Sequence, residues 1–170
     1  MTKPDPKLLD GIVVPKVLDA LRLASEAMAA ANVRHVVVGG LAVCANGHPR
    51  NTKDVDFLVG DEAFVRHGKL VSLRPGLPFE VDGIAIDFLS PAPDEPFLEA
   101  ALSAEPGSFI DSSPLVYMKL KASRMQDRAD VVALIKSSLD VDACRKYLAA
   151  NAPSFVSRFD ELVAMAIAED

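Results

Sequence analysis

Two kinds of apolar patterning alternate along the chain. Between Lys16 and Ala31, the residues Val17, Leu18, Leu21, Leu23, Ala24 and Met28 recur at helical spacing, and Asn32 supplies a stop. Val33 to Val38 is instead a short β-branched run, the pattern of a buried strand. Gly39-Gly40 breaks that run, and Leu41 to Asn46 has the length of a short helix ended by Gly47. Lys53 to Val59 reads as a second strand. Asp61 is placed to cap a helix running to about Leu73, with a turn at Arg74-Pro75-Gly76. Phe79-Glu80-Val81 and Ile84 to Leu89 flank Asp82-Gly83, a dipeptide typical of tight hairpins. A loop at Pro91–Pro96 precedes a helix from Phe97 to Ala104 and a turn at Pro106-Gly107. From Pro114 onward the pattern is mostly helical, with Asp140 and Pro153 as start signals.

Strands concentrated in the first half and helices in the second predict an α+β fold, with a sheet followed by a helical segment. A chain of 170 residues fits one domain with its own core. Its expected parts are a flexible N-terminal arm over residues 1–15, an α/β core over 16–112, and a helical segment over 113–170 packed on that core. Half of the residues are hydrophobic and a quarter charged, a globular composition. The formal charge of −6 gives the molecule as a whole no electrostatic attraction for nucleic acid, although a local basic patch is compatible with it. No apolar run approaches the ~20 residues that span a bilayer, and no targeting signal opens the chain. The expectation is a cytoplasmic protein without a membrane partner. Cys44 and Cys144 form no CxxC, and His35, His48 and His67 lack metal-ligand spacing, which argues against zinc or a disulfide framework.

The chemistry concentrates in Arg50-Asn51-Thr52-Lys53-Asp54-Val55-Asp56-Phe57. Residues i and i+2 of a strand share a face, so Asp54 and Asp56 point the same way while Val55 and Phe57 face the core. Two neighbouring carboxylates repel unless a cation sits between them, and Mg²⁺ favours such hard oxygen ligands. The bland alternative, a solvated face of an edge strand, fits poorly with the apolar flanks Val55, Phe57, Leu58 and Val59. Asp87 stands in the middle of a second apolar strand, where an acid is costly unless coordinated or hydrogen-bonded. Asp82 is accounted for by its turn. Three carboxylates from two strands would hold two Mg²⁺ ions about 4 Å apart, as in two-metal phosphoryl transfer, with Asp87 on the nucleophile side. Gly39-Gly40 lets backbone approach an anion such as phosphate, although glycine pairs also make plain turns.

Val36-Val37-Val38-Gly39-Gly40-Leu41-Ala42, then Asp54-Val55-Asp56, then Ile86-Asp87 together resemble the nucleotidyltransferase fold of the polymerase-beta superfamily. The segment Tyr117 to Asp130 is similar to the small bacterial abortive-infection toxin nucleotidyltransferases. The resemblance implies a mixed sheet flanked by helices, with Gly39 and Gly40 holding a nucleotide triphosphate and Asp54, Asp56 and Asp87 as catalytic, Mg²⁺-binding acids. It also implies Lys119 as a phosphate contact, supported by Asp127 and Asp130. Asp127 is equally placed to cap a helix, and Lys121, Arg124 and Arg128 form an ordinary basic face. Arg50 is suited either to clamping a phosphate or to pairing with an acid. Many members of the superfamily carry serine after the first glycine; here Gly40 offers only backbone, and Thr52 is the candidate replacement.

The expected activity is therefore Mg²⁺-dependent transfer of an NMP from an NTP, ATP included, to a tRNA, protein or small-molecule acceptor. An antitoxin partner belongs to the toxin-like version of the resemblance. The competing expectation is a non-catalytic nucleotide-binding regulator that keeps the fold.

Overall fold

The computed structural model describes residues 3–170; Met1 and Thr2 of the expected arm lie outside them. In chain order the elements are α1 (Pro15–Ala30), β1 (His35–Val38), α2 (Gly39–Ala45), β2 (Val55–Val59), β3 (Phe64–His67), β4 (Leu70–Leu73), β5 (Glu80–Val81), β6 (Ile84–Leu89), α3 (Pro96–Ala101), α4 (Ser112–Ala122), α5 (Met125–Ser137), α6 (Val141–Asn151) and α7 (Val156–Ala168). The α+β expectation holds.

The central sheet has the order β1-β2-β6-β5. β1 runs antiparallel to β2, β2 parallel to β6, and β6 antiparallel to β5. The β5–β6 hairpin turns at Asp82-Gly83, both with positive φ (49° and 79°), as a two-residue primed turn requires. The free edge of β1 is covered by residues 108–110, which exchange backbone hydrogen bonds with Val37.

Alternation along the strands divides the core in two. Val37, Val55, Phe57, Val59 and Ile86 pack against the buried α1 stripe of Val17, Ala20, Ala24 and Met28. Val36, Val38 and Leu58 face the other way and join the core of α4–α7, with Leu115, Val131, Leu148 and Phe159. Each large buried side chain contributes about 1.5–3 kcal/mol relative to exposure, so both faces of the sheet are firmly covered. Asp56 lies between two α1-facing residues and therefore points toward the α4–α7 side.

Two expectations are corrected. Residues 61–73 form no continuous helix. Asp61–Ala63 is a single 3-10 turn, and β3 and β4 come next as an antiparallel hairpin. The two-residue link Gly68-Lys69, with Gly68 at φ 64°, is the local signal that overrides helix capping at Asp61. The segment before α1 is also not a loose arm. Pro6–Leu9 makes a 3-10 turn, Leu9 and Val13 are buried, and the Asp5 N–H donates to the Ala45 carbonyl at 2.8 Å. Its two apolar side chains cover the same core that α1 and α2 share. A smaller shift concerns the second strand, which begins at Val55 rather than Lys53 and leaves Asp54 just before it.

Candidate active site

The β1–α2 turn, the approach to β2, the middle of β6 and the α4–α5 junction enclose a cleft of about 610 Å³. That is the size range of small-molecule sites. Asp54, Asp56 and Asp87 all line it.

The sheet register decides how the acids meet. Asp56 is opposite Val38 on one side and opposite Asp87 on the other, so the two aspartates are direct neighbours on adjacent parallel strands. Each sits between residues facing the α1 core, Ile86 and Phe88 in the case of Asp87, so both carboxylates project from the same face. The Asp56 carboxyl is pushed up to about 6, first by burial, then by the charge of Asp87 and by hydrogen-bonding contact with it. The pair is thus two like charges short of a cation. Asp54 adds a smaller contribution of the same sign. Asp87 is solvent-exposed, so its place in an apolar strand leaves no buried charge to offset. Among the described residues, no three His, Cys, Asp or Glu side chains close around a point at ligand distance. The structure brings Asp56 and Asp87 together and places Asp54 in the same cleft, short of a closed triad.

Both glycines are required by contact rather than by turn geometry alone. Gly39 has φ 66°, and a β-carbon there would lie 2.0 Å from Asp56 Oδ2. A β-carbon on Gly40 would meet Arg50 Nη2 and Thr52 Oγ1, each at 2.9 Å. The expected helix after them starts at Gly39 itself, so the glycine pair forms the first turn of α2.

Opposite the acids, α4 and α5 present cations held by carboxylates. Lys119 is 6% exposed and bonds Asp127 Oδ1 at 3.1 Å and Asp130 Oδ2 at 2.9 Å. It lines the cleft, and its charge draws the Asp56 carboxyl downward. Asp130 is fully buried and pairs with Arg50, whose Nη2 donates to Oδ2 at 3.2 Å, while Nε lies 3.0 Å from Oδ1 without a hydrogen bond. Arg50 therefore pairs with an acid while still lining the cleft. Burial pushes Asp127 up, but hydrogen bonds from Arg124 and Lys119 prevail and its pKa lies below the ordinary value. Its Oδ2 also accepts from the Arg124 N–H at 3.2 Å, so Asp127 caps α5 and anchors Lys119 at once. Thr52 is buried and donates weakly to the Asp54 carbonyl at 3.4 Å.

Sequence reasoning missed Arg124 and Gln126 as wall residues of the cleft. Gln126 donates to Asp130 Oδ1 at 2.9 Å. Arg124 keeps its exposed place on the basic face and also pairs with Asp127 at 2.8 Å. The i, i+3 and i, i+4 spacings to these acids were the available signal.

No protein-family model matches the chain, and no curated protein matches it. Among solved structures, the chain is similar to an antigenic nucleotidyltransferase-like protein from Paracoccidioides brasiliensis, at 15% identity and TM-score 0.46, covering 85% of this chain and 92% of that one. It is similar also to the Thermotoga maritima CCA-adding enzyme complexed with tRNA, at 16% identity and TM-score 0.45, covering 98% of this chain and 56% of that one. A CCA-adding enzyme in complex with CTP matches at 21% identity and TM-score 0.43, over 99% of this chain and 46% of that one. The chain spans about half the length of these two CCA-adding enzymes.

Proposed function

We propose that the cleft is the active site of a Mg²⁺-dependent nucleotidyltransferase that moves an NMP from an NTP to an acceptor. The observation that carries this reading is the Asp56–Asp87 pair: two adjacent carboxylates, one with a raised pKa, aimed into a cleft floored by Gly39-Gly40. Such a pair fits a hard divalent cation, whose charge would relieve their repulsion. Asp56 and Asp87, with Asp54 in the same cleft, would hold two Mg²⁺ ions. Bound Mg²⁺ would supply neutralisation of the triphosphate and acidification of the attacking hydroxyl.

The chain's own residues do the rest. The Gly39-Gly40 backbone admits the triphosphate where any side chain would collide with Asp56 or Arg50. Arg50 and Lys119, pre-oriented by Asp127 and Asp130, face the phosphates, and Thr52 adds a hydroxyl. Asp87, the more exposed of the paired acids, lies toward the acceptor and accepts its proton. The acceptor oxygen then bonds to the α-phosphorus, the bond to the β-phosphate oxygen breaks, and pyrophosphate leaves. The acceptor is a tRNA, a protein or a small molecule. A toxin role, with an antitoxin partner in the cytoplasm, belongs to the same proposal through the resemblance of Tyr117 to Asp130.

Incubation with each α-labelled NTP and Mg²⁺, alone and with total RNA or cell protein, tests the proposal. Label transferred to an acceptor, with pyrophosphate released in equal amount, supports it. NTP binding without any transfer across the whole acceptor set would favour the non-catalytic regulator instead.

A further inference from the structure

Six of the nine arginines pair with a carboxylate among the described residues. Arg74 donates to the Ala31 carbonyl. Arg128 of α5 and Arg158 of α7 remain, and both reach the same atom, the Ser123 hydroxyl between α4 and α5. Arg158 Nη1 donates to that hydroxyl, and Arg128 Nη2 stands 3.5 Å from it, loosely held. Two exposed guanidiniums free to separate into water instead converge from different helices, in a protein of net charge −6 with many acids available. The C-terminus of α4 does favour cations. Yet neither guanidinium bonds a terminal carbonyl, because both donate to the side chain of Ser123, whose own N–H closes α4 onto Lys119 O. One hydroxyl oxygen leaves most of the donors on the two guanidiniums unused.

We propose that Ser123, Arg128 and Arg158 form a phosphate-binding site separate from the catalytic cleft, taking the phosphate group of a monoester, a diester or the free ion. A tetrahedral oxyanion accepts from both planar forks at once; a dianion neutralises the pair and a diester offsets one of its two charges. None of the three residues lines the cleft, although Ala122 and Arg124 on either side of Ser123 do. An occupant would therefore abut the cleft wall without entering it. The site stands whether or not the cleft transfers nucleotides.

The test is NMR titration of the isotopically labelled full chain with inorganic phosphate at constant ionic strength set by chloride. Saturable shifts are expected at the Ser123 amide and the Arg128 and Arg158 guanidiniums. Loss of affinity by about tenfold or more is expected in R128Q/R158Q, from removal of two charge-assisted donors. S123A, which keeps both charges, weakens binding by a smaller factor and serves if the double variant fails to fold. Dimethyl phosphate in a parallel titration separates the sources: preference for the dianion indicates a terminal or free phosphate, and equal binding indicates a backbone diester. Shifts that grow without saturation, or that persist unchanged in R128Q/R158Q and S123A, would overturn the proposal.

Discussion

Gly39 and Asp56 are packed so closely that a β-carbon at position 39 would lie 2.0 Å from Asp56 Oδ2. The turn of one strand is thereby fitted to the acid of its neighbour. The nearest atoms at Gly40 belong instead to Arg50 and Thr52, at 2.9 Å rather than 2.0 Å.

G39A and G40A should consequently differ. At position 39 the positive φ adds about 1–2 kcal/mol of backbone strain to the clash with a carboxylate that has little room. G39A is expected to lose stability in urea titrations and to abolish Mg²⁺-dependent NTP binding. G40A, with ordinary φ and a 2.9 Å rather than 2.0 Å approach, should lose less stability than G39A and weaken NTP binding by no more than about tenfold, roughly one hydrogen bond's worth. Equal behaviour of the two variants would show that the carboxylate contact is not what position 39 serves.

Asp87 can be separated from nucleotide binding. In D87N the Asp56 carboxyl loses its principal neighbouring charge, and the acceptor loses its base. Turnover is expected to fall by about 10²–10⁴-fold, the usual worth of a positioned base, with NTP affinity changed by less than about tenfold. Single-turnover transfer and equilibrium NTP binding on the same preparation check this. Undiminished transfer would remove Asp87 from the mechanism.

Asp130 is the structural counterpart. Fully buried and shared by Arg50 and Lys119, it is expected to cost about 3–5 kcal/mol when truncated to alanine, because Arg50 loses its carboxylate and Lys119 one of its two. Denaturant unfolding measures the loss. Adding K119M to D130A should recover part of it, and a purely additive double variant would show that the two residues are not coupled.

His35 gives the folded state an acid-sensitive point. The ring is 1% exposed, with Nδ1 2.8 Å from the Val33 carbonyl and Nε2 2.7 Å from Ser25 Oγ. Burial lowers its pKa below 6.5, outweighing the Val33 hydrogen bond. The unfolded chain therefore takes up the proton first, so this contribution to stability is complete above about pH 6.5 and declines as pH falls below it. H35Q is expected to flatten the pH dependence of the unfolding free energy in that range. An unchanged slope would place the acid sensitivity elsewhere.

Much of the site was readable from local patterns. The β-branched run before Gly39-Gly40 and the Asp82-Gly83 hairpin are short-range signals, and each sits where the pattern put it, whereas of the two acids before Phe57 only Asp56 lies on the strand. The region 61–73 misled because a capping aspartate and a mixed apolar stretch satisfy helix rules, while a single Gly68 turn of positive φ favours the hairpin. The first residues misled because three prolines suggest disorder, while Leu9 and Val13 find a core built by distant segments.

By itself, then, the sequence determined the order of the main elements outside residues 61–73, the glycine turn and which acids were worth watching, since those arise from periodicities a few residues long. Only the tertiary structure decided that Asp87 stands beside Asp56, that Arg50 and Lys119 share Asp130, and that two arginines meet at Ser123. Strand register and helix docking bring together residues far apart in the chain, and no local pattern encodes the distance between them.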